Sequence, residues 1–258
     1  MAEAIRTLQI DRLPVAIYES PEQLGAAAAL ATREAITGAV EAKGSARIVL
    51  ATGNSQLALF RTLLRLGGVA WPKVTIFHLD EYLGIDPTHR ASFPRFLRRH
   101  LLDQIDARAF HPIPSRPGDP EQACRDYETS LRREPIDLVV LGLGENGHLA
   151  FNDPPYARFD DPLWVKIVRL DEVSRRQQVG EGHFGSLDEV PTHAITLTIP
   201  ALLAADRLLC IAPEARKAEA VRACLVEPIS EERPGSVLRR APHARLLLDR
   251  DSAALLEL

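Results

Sequence analysis

The chain of 258 residues is 46% hydrophobic, enough to bury a sizeable core as one large domain or two small ones. A formal net charge of −4 gives no reason to expect nucleic acid or an anionic membrane as partner, although local groups can still attract a small anion. The opening MAEAIRTLQIDRL carries charges where a secretory signal needs an apolar core, and Thr32-Arg33-Glu34 interrupts the Ala-rich run at 26–31, so neither export nor a membrane span is expected.

In chain order, Ser20-Pro21 opens a helix predicted over 21–43, with proline at its first turn. A strand over 46–51 runs into Thr52-Gly53-Asn54-Ser55 and a helix over 56–66. The apolar stretch 74–79 reads as the next strand and ends at Asp80. Residues 92–104 and 119–133 carry helical spacing, 136–141 is an apolar β-branched strand, and 165–170 and 194–199 follow as strands. The chain closes with a strand over 208–212, an amphipathic helix over 214–225 and a strand over 245–249. Repeated βα alternation predicts an α/β protein with a doubly wound, mostly parallel sheet. The Pro/Gly-rich stretch 110–120 is flanked by the same rhythm on both sides, so a single domain over 1–258 is expected. Cys124, Cys210 and Cys224 fit neither a disulfide framework nor a zinc spacing. Buried free thiols in a cytoplasmic protein are expected instead.

The run IDLVVLGLGENGHLAFNDPP at 136–155 is the most informative segment. Glycines at the C-terminal end of a buried strand let backbone N–H groups approach a ligand, and in open α/β sheets ligands sit at that edge. His148 with Asp153 supplies a proton-transfer pair in the same loop. Gly142, Gly144 and Gly147 also satisfy G-x-G-x-x-G, but a dinucleotide site needs a helix straight afterwards, and Pro154, Pro155 and Pro162 interrupt the segment. Thr52 to Ser55, between a strand and a helix, suits a phosphate, although an ordinary N-cap by Asn54 or Ser55 would look the same. Asp80-Glu81 at a strand end is either a solvated turn or a desolvated general base. Lys217, taken by itself, reads as a surface residue. His78 and His193 read as structural and His243 as exposed.

Together these segments resemble the glucosamine-6-phosphate deaminase (isomerase) family, which is related to the 6-phosphogluconolactonases. The likeness rests on ATGNSQ at 51–56, HLDEYLG at 78–84, GLGENGHLAFNDP at 142–154, VPTHAITLT at 190–198 and EARKAEAV at 214–221. It implies a modified Rossmann-like fold and conversion of glucosamine 6-phosphate to fructose 6-phosphate and ammonia, with no metal, no redox cofactor and a homo-oligomeric assembly. By the resemblance, Asp80 matches the base that moves a proton between C2 and C1, and His148 the ring-opening acid/base, with Asp153 as its supporting carboxylate. Thr52, Gly53, Asn54, Ser55 and Lys217 match the phosphate cradle, and Glu81 and Gly147 join the substrate-binding set.

Three departures from the family pattern stand out. Asn146 replaces a frequent Asp and can orient His148 but cannot ionise. Asp153 replaces a frequent Glu. The segment SRRQQVGEGHFGS leaves Arg175 and Arg176 as the candidates for the phosphate-binding arginine. The loop PPYARFDDPLW also lacks the basic cluster of allosterically regulated members. The rival lactonase activity is disfavoured because lactonases tend to carry Asp-Glu-Arg at 80–82 and Thr-Ala-Ser at 149–151. A non-enzymatic sugar-phosphate sensor would carry a fused DNA-binding segment, which is not seen in this sequence.

Overall fold

The computed structural model describes residues 3–154 and 156–256. Pro155, expected with its neighbours to break any helix, lies outside the described residues. The chain opens with an antiparallel hairpin, β1 (Arg6–Ile10) and β2 (Leu13–Tyr18), whose turn holds Asp11 at φ 51. Neither strand was anticipated from the sequence. β1 is largely exposed, and Pro14 near the start of β2 weakens the strand signature.

Next come α1 (Pro21–Lys43), β3 (Ala46–Leu50) and α2 (Leu57–Leu66). Ser20 caps α1 by accepting from the Gln23 N–H, and Gly44 ends it at φ 81, where a left-handed residue closes the helix. β4 (Val74–His78) and the short β5 (Asp80–Tyr82) precede α3 (Phe93–His100), β6 (Ala109–Phe110), α4 (Pro120–Arg132) and β7 (Leu138–Gly142). Then follow β8 (Val165–Arg169), α5 (Glu172–Gly180), β9 (His193–Leu197), α6 (Ile199–Leu203), β10 (Leu208–Ala212), α7 (Ala218–Val226) and β11 (Ala244–Asp249).

The large sheet has the order β1-β2-β11-β10-β7-β3-β4-β6. All its neighbours from β2 onward are parallel. Its central strands are buried on both faces because successive side chains enter opposite cores. Ile48, Leu50, Leu138, Val140, Leu209 and Ile211 pack with α1 and α2, while Val49, Val139, Leu141 and Cys210 pack with α4, α6 and α7. A charged residue survives in β3 because the Arg47 guanidinium donates to the carbonyls of Ser130, Leu131 and Glu134 at the C-terminal end of α4. A second, antiparallel sheet, β5-β9-β8, lies over an aromatic cluster of Tyr82, Phe93, Phe151 and Phe184. This is the expected doubly wound, mostly parallel α/β architecture, with a small antiparallel sheet added to it.

Candidate active site

The chain builds outward from β3 to β4 and β6, then returns to place β7 on the other side of β3. That reversal opens a crevice at the C-terminal ends of the strands, the usual ligand position in such sheets. Four adjacent strands empty into it. β4 leads to Asp80, β3 to the 52–55 turn, β7 to the glycine loop and β10 to Lys217, and all four line one cleft.

His148 stands in this cleft over Gly144. A Cβ on Gly144 would lie 2.3 Å from the imidazole, so glycine is required for the ring to sit there. The ring's Nδ1 is 2.7 Å from Asn146 Oδ1 and 3.0 Å from Asp153 Oδ1, while the His148 backbone N–H donates to Asn146 Oδ1 at 3.0 Å. Asn146 Nδ2 donates to Asp153 Oδ1 at 3.0 Å, and the Asp171 N–H donates to Asp153 Oδ2 at 3.3 Å. Burial alone would raise the Asp153 carboxyl. The hydrogen bond and charge of His148, with the hydrogen bonds of Ser174 and Asn146, outweigh that and hold it well below the usual carboxylate range.

Asp80 is the other proton-transfer candidate in the cleft. Burial first, and the neighbouring Glu81 charge second, push its carboxyl well above its ordinary range. Among the described residues no hydrogen bond reaches its carboxylate, which opens to the cleft. Its neighbour is different. Glu81 accepts from the Tyr82 N–H at 2.8 Å, from Ser92 Oγ at 2.8 Å and from the Phe93 N–H at 3.1 Å, so it caps α3 on the far side of β5. Burial pushes its carboxyl up to about 7, against those three hydrogen bonds. Glu81, expected to bind substrate, thus stands apart from the cleft. So does Gly147, which at φ 83 packs against Cys224 and receives the Gly235 N–H at 2.7 Å.

The remaining groups favour an anion. Gly53 at φ 97 turns the chain so that Asn54–Gln56 and then α2 begin at the cleft, with no side chain capping them. N–H groups at a helix start and the helix dipole attract phosphate. Lys217, which by itself reads as a surface residue, is buried and lines the same cleft. Desolvation, then the Arg216 charge, lowers its ammonium to about 8. The arginines expected before VPTHA are used elsewhere. Arg175 donates to the carbonyls of Leu187 and Val190, and Arg176 pairs with Glu172 on the surface. The arginines at the cleft are instead Arg90 and Arg216, the latter paired with Glu145, Glu181 and Glu214. His78 is structural, as expected. Its Nε2 accepts from the Ile113 N–H at 2.7 Å, and burial lowers it to about 3. His193, expected to be structural, is exposed at the start of β9, while His243, expected to be exposed, is half-buried.

Residues 19–247 match the model of the family described as glucosamine-6-phosphate isomerases/6-phosphogluconolactonase. The chain belongs to this family. Glucosamine-6-phosphate deaminase of Exiguobacterium sibiricum is 37% identical over 210 residues, covering 81% of each chain. The protein of the same name from Bacillus cereus is 33% identical over 241 residues, covering 93% of this chain and 88% of the relative. A monomeric glucosamine-6-phosphate deaminase of solved structure superposes with a TM-score of 0.87 at 31% identity, over 93% of this chain and 99% of its own. A 6-phosphogluconolactonase from Shewanella baltica gives a TM-score of 0.75 at 21% identity, over 94% and 100%, a likeness of fold alone.

Within the family frame, the sequence reading missed one wall of the cleft. Gln177, Gln178, Glu181 and His183, on and just after α5, line it beside the glycine loop, whose Glu145 N–H donates to Gln177 Oε1 at 3.4 Å. Their helical spacing was available in SRRQQVGEGH, but a helix whose inward face is polar gives no hydrophobic periodicity to detect.

Proposed function

We propose that this chain isomerises and deaminates glucosamine 6-phosphate, releasing fructose 6-phosphate and ammonia. The observation that carries the reading is the separation of roles within one cleft. A buried carboxylate with no hydrogen-bond partner among the described residues faces it just beyond β4, a buttressed imidazole just beyond β7, and an anion-binding turn and a buried lysine follow β3 and β10. Ring opening needs a group that takes a proton from the C1 hydroxyl and returns one to the ring oxygen, and the free Nε2 of His148 is suited to both steps. The aldose–ketose shift needs a second base above C1 and C2. Asp80, desolvated and therefore strengthened as a proton acceptor, fits that task. Loss of the C2 proton, its return to C1 and the passage of one amine proton to O1 leave an imine at C2, and water then releases ammonia. Anchoring the phosphate at residues 52–55 and Lys217 holds the reacting carbons still.

The curated relatives named as deaminases support this activity over lactone hydrolysis. Incubation with glucosamine 6-phosphate and with 6-phosphogluconolactone, following ammonia and acid release separately, tests it. Ammonia from the first with no acceleration of the second is expected, and the opposite pattern overturns the reading. Buried, unpaired Cys124, Cys210 and Cys224 support a reducing compartment, the cytoplasm. No helix of the described residues is long and apolar enough to cross a membrane. The family resemblance suggests a homo-oligomer, whereas the glucosamine-6-phosphate deaminase of solved structure at 31% identity is described as monomeric. We therefore propose that catalysis needs no second copy.

A further inference from the structure

α5 presents Ser174, Gln177, Gln178 and Glu181 at the i, i+3, i+4, i+7 spacing of a single helix face. That face is ordinarily apolar when it packs inward. Here its last three members line the cleft, and its first, Ser174, is buried behind His148. Ser174 Oγ lies 2.5 Å from Asp153 Oδ1 and 3.2 Å from His148 Nδ1.

A hydroxyl has one proton to give. The short distance to a carboxylate held in its ionised form assigns that proton to Asp153, which leaves a hydroxyl lone pair facing the imidazole. His148 Nδ1 then meets three acceptors, namely Asn146 Oδ1, Asp153 Oδ1 and Ser174 Oγ, so Nδ1 carries the ring proton and Nε2 presents its lone pair to the cleft. Asn146 cannot supply a second negative charge, so the orientation of the single carboxylate sets the charge felt at Nδ1. Ser174 fixes that orientation by sharing Asp153 Oδ1 with Asn146, while the Asp171 N–H holds Oδ2.

We propose that Ser174 is a positioning residue for the proton-transfer pair, tying α5 to His148 through Asp153. It rests on the reading of His148 as the acid/base group, and it assigns to Ser174 an effect on turnover rather than on binding, because Ser174 does not line the cleft.

The test compares Ser174→Ala and Ser174→Thr with the parent protein in three measurements. These are kcat and KM for glucosamine 6-phosphate, inorganic phosphate affinity by calorimetry, and the imidazole ¹⁵N shifts of His148 without ligand, assigned with a His148→Gln sample. Ser174→Ala is expected to lower kcat at least ~10-fold with KM and phosphate affinity within ~2-fold, because a misplaced acid/base costs the transition state rather than binding. It is also expected to move the imidazole ¹⁵N shifts of His148, because a carboxylate no longer held by Ser174 changes the charge felt at Nδ1, and Ser174→Thr, which keeps the hydroxyl, to restore both. Unchanged ¹⁵N shifts in Ser174→Ala, or equal impairment of the two variants, overturns the proposal. Where alanine costs folding, Ser174→Cys fills the site with a weak donor and is read the same way. If the parent releases no ammonia, the functional reading fails, while the ligand-free spectra still decide the role of Ser174.

Discussion

Asp80 and Lys217 owe their chemistry to burial, in opposite directions. Desolvation raises the carboxyl of Asp80, so that once ionised it is a stronger base than an exposed carboxylate. Asp80→Asn keeps the shape without the basicity. It should cut turnover by at least ~10²-fold while leaving phosphosugar binding nearly intact, in line with general-base contributions of about 10²–10⁴. Comparing kcat with binding of a competitive inhibitor checks this, and near-normal turnover removes Asp80 from the mechanism. Lys217 moves the other way: burial and Arg216 lower it to about 8. Its charged form prevails below that value and is lost as pH rises through it. Phosphosugar phosphates, with a second pKa of about 6, are already dianionic there. KM for the phosphosugar should therefore climb above about pH 8, and in Lys217→Met it should be raised throughout, with that limb absent. A parent KM that is flat from pH 7 to 9 would remove Lys217 from the cradle. Asp80 was legible in the sequence because it sits where a strand ends, whereas Lys217 by itself read as a surface residue and entered only through the family resemblance. Arg216 was not legible, since its neighbours in space, Glu145 and Glu181, are far away in the chain.

At the scale of elements, the cleft depends on how closely α1 can pack on α2, the helix that follows the anion-binding turn. Gly25 allows the contact, since a Cβ there would meet Ala58 Cβ at 2.4 Å and its carbonyl carbon at 2.9 Å. Alanine is favoured over glycine in a helix by about 1 kcal/mol, but overpacking costs about 1–3 kcal/mol, so the clash should win. Gly38, in the same helix, has nothing within 4 Å of its would-be Cβ. Denaturant unfolding should show Gly25→Ala less stable than the parent and Gly38→Ala more stable, by up to about 1 kcal/mol. Equal changes in the two variants would mean that the helices slide apart freely. The central strands were readable because apolar runs buried on both faces leave a strong trace, whereas the β1–β2 hairpin and α5 were not. β1 is mostly exposed, and α5 turns hydroxyl, amide and carboxylate groups inward while its Val173 faces solvent. Helix propensity alone could not separate α5 from a loop.

For the whole molecule, the charges of the loop that follows Asp153 predict unregulated kinetics. In regulated relatives an N-acetylated amino-sugar phosphate binds a basic site partly built from the loop that follows the catalytic carboxylate. Here the cations of that loop are already committed. Arg158 pairs with Asp160, and Lys166 binds Asp161 at 2.7 Å and the Tyr156 carbonyl at 2.9 Å. Arg132, from α4, lies 4.0 Å over the Trp164 ring and is paired with Glu128. A phosphate dianion entering this loop would have to displace Asp161 from Lys166, a pair that is nearly buried, and removing one partner of such a pair costs about 3–5 kcal/mol. That cost falls on any effector that enters the loop, so the loop offers it little affinity, and an effector that does not bind shifts no equilibrium. Rate against glucosamine 6-phosphate should be hyperbolic, with the same specific activity across protein concentrations, and N-acetylglucosamine 6-phosphate should not activate. A sigmoidal curve that the N-acetyl compound renders hyperbolic would place an effector site outside this loop. Lys166→Met with Asp161→Asn, which removes the competing pair without touching the cleft, would then leave that activation unchanged.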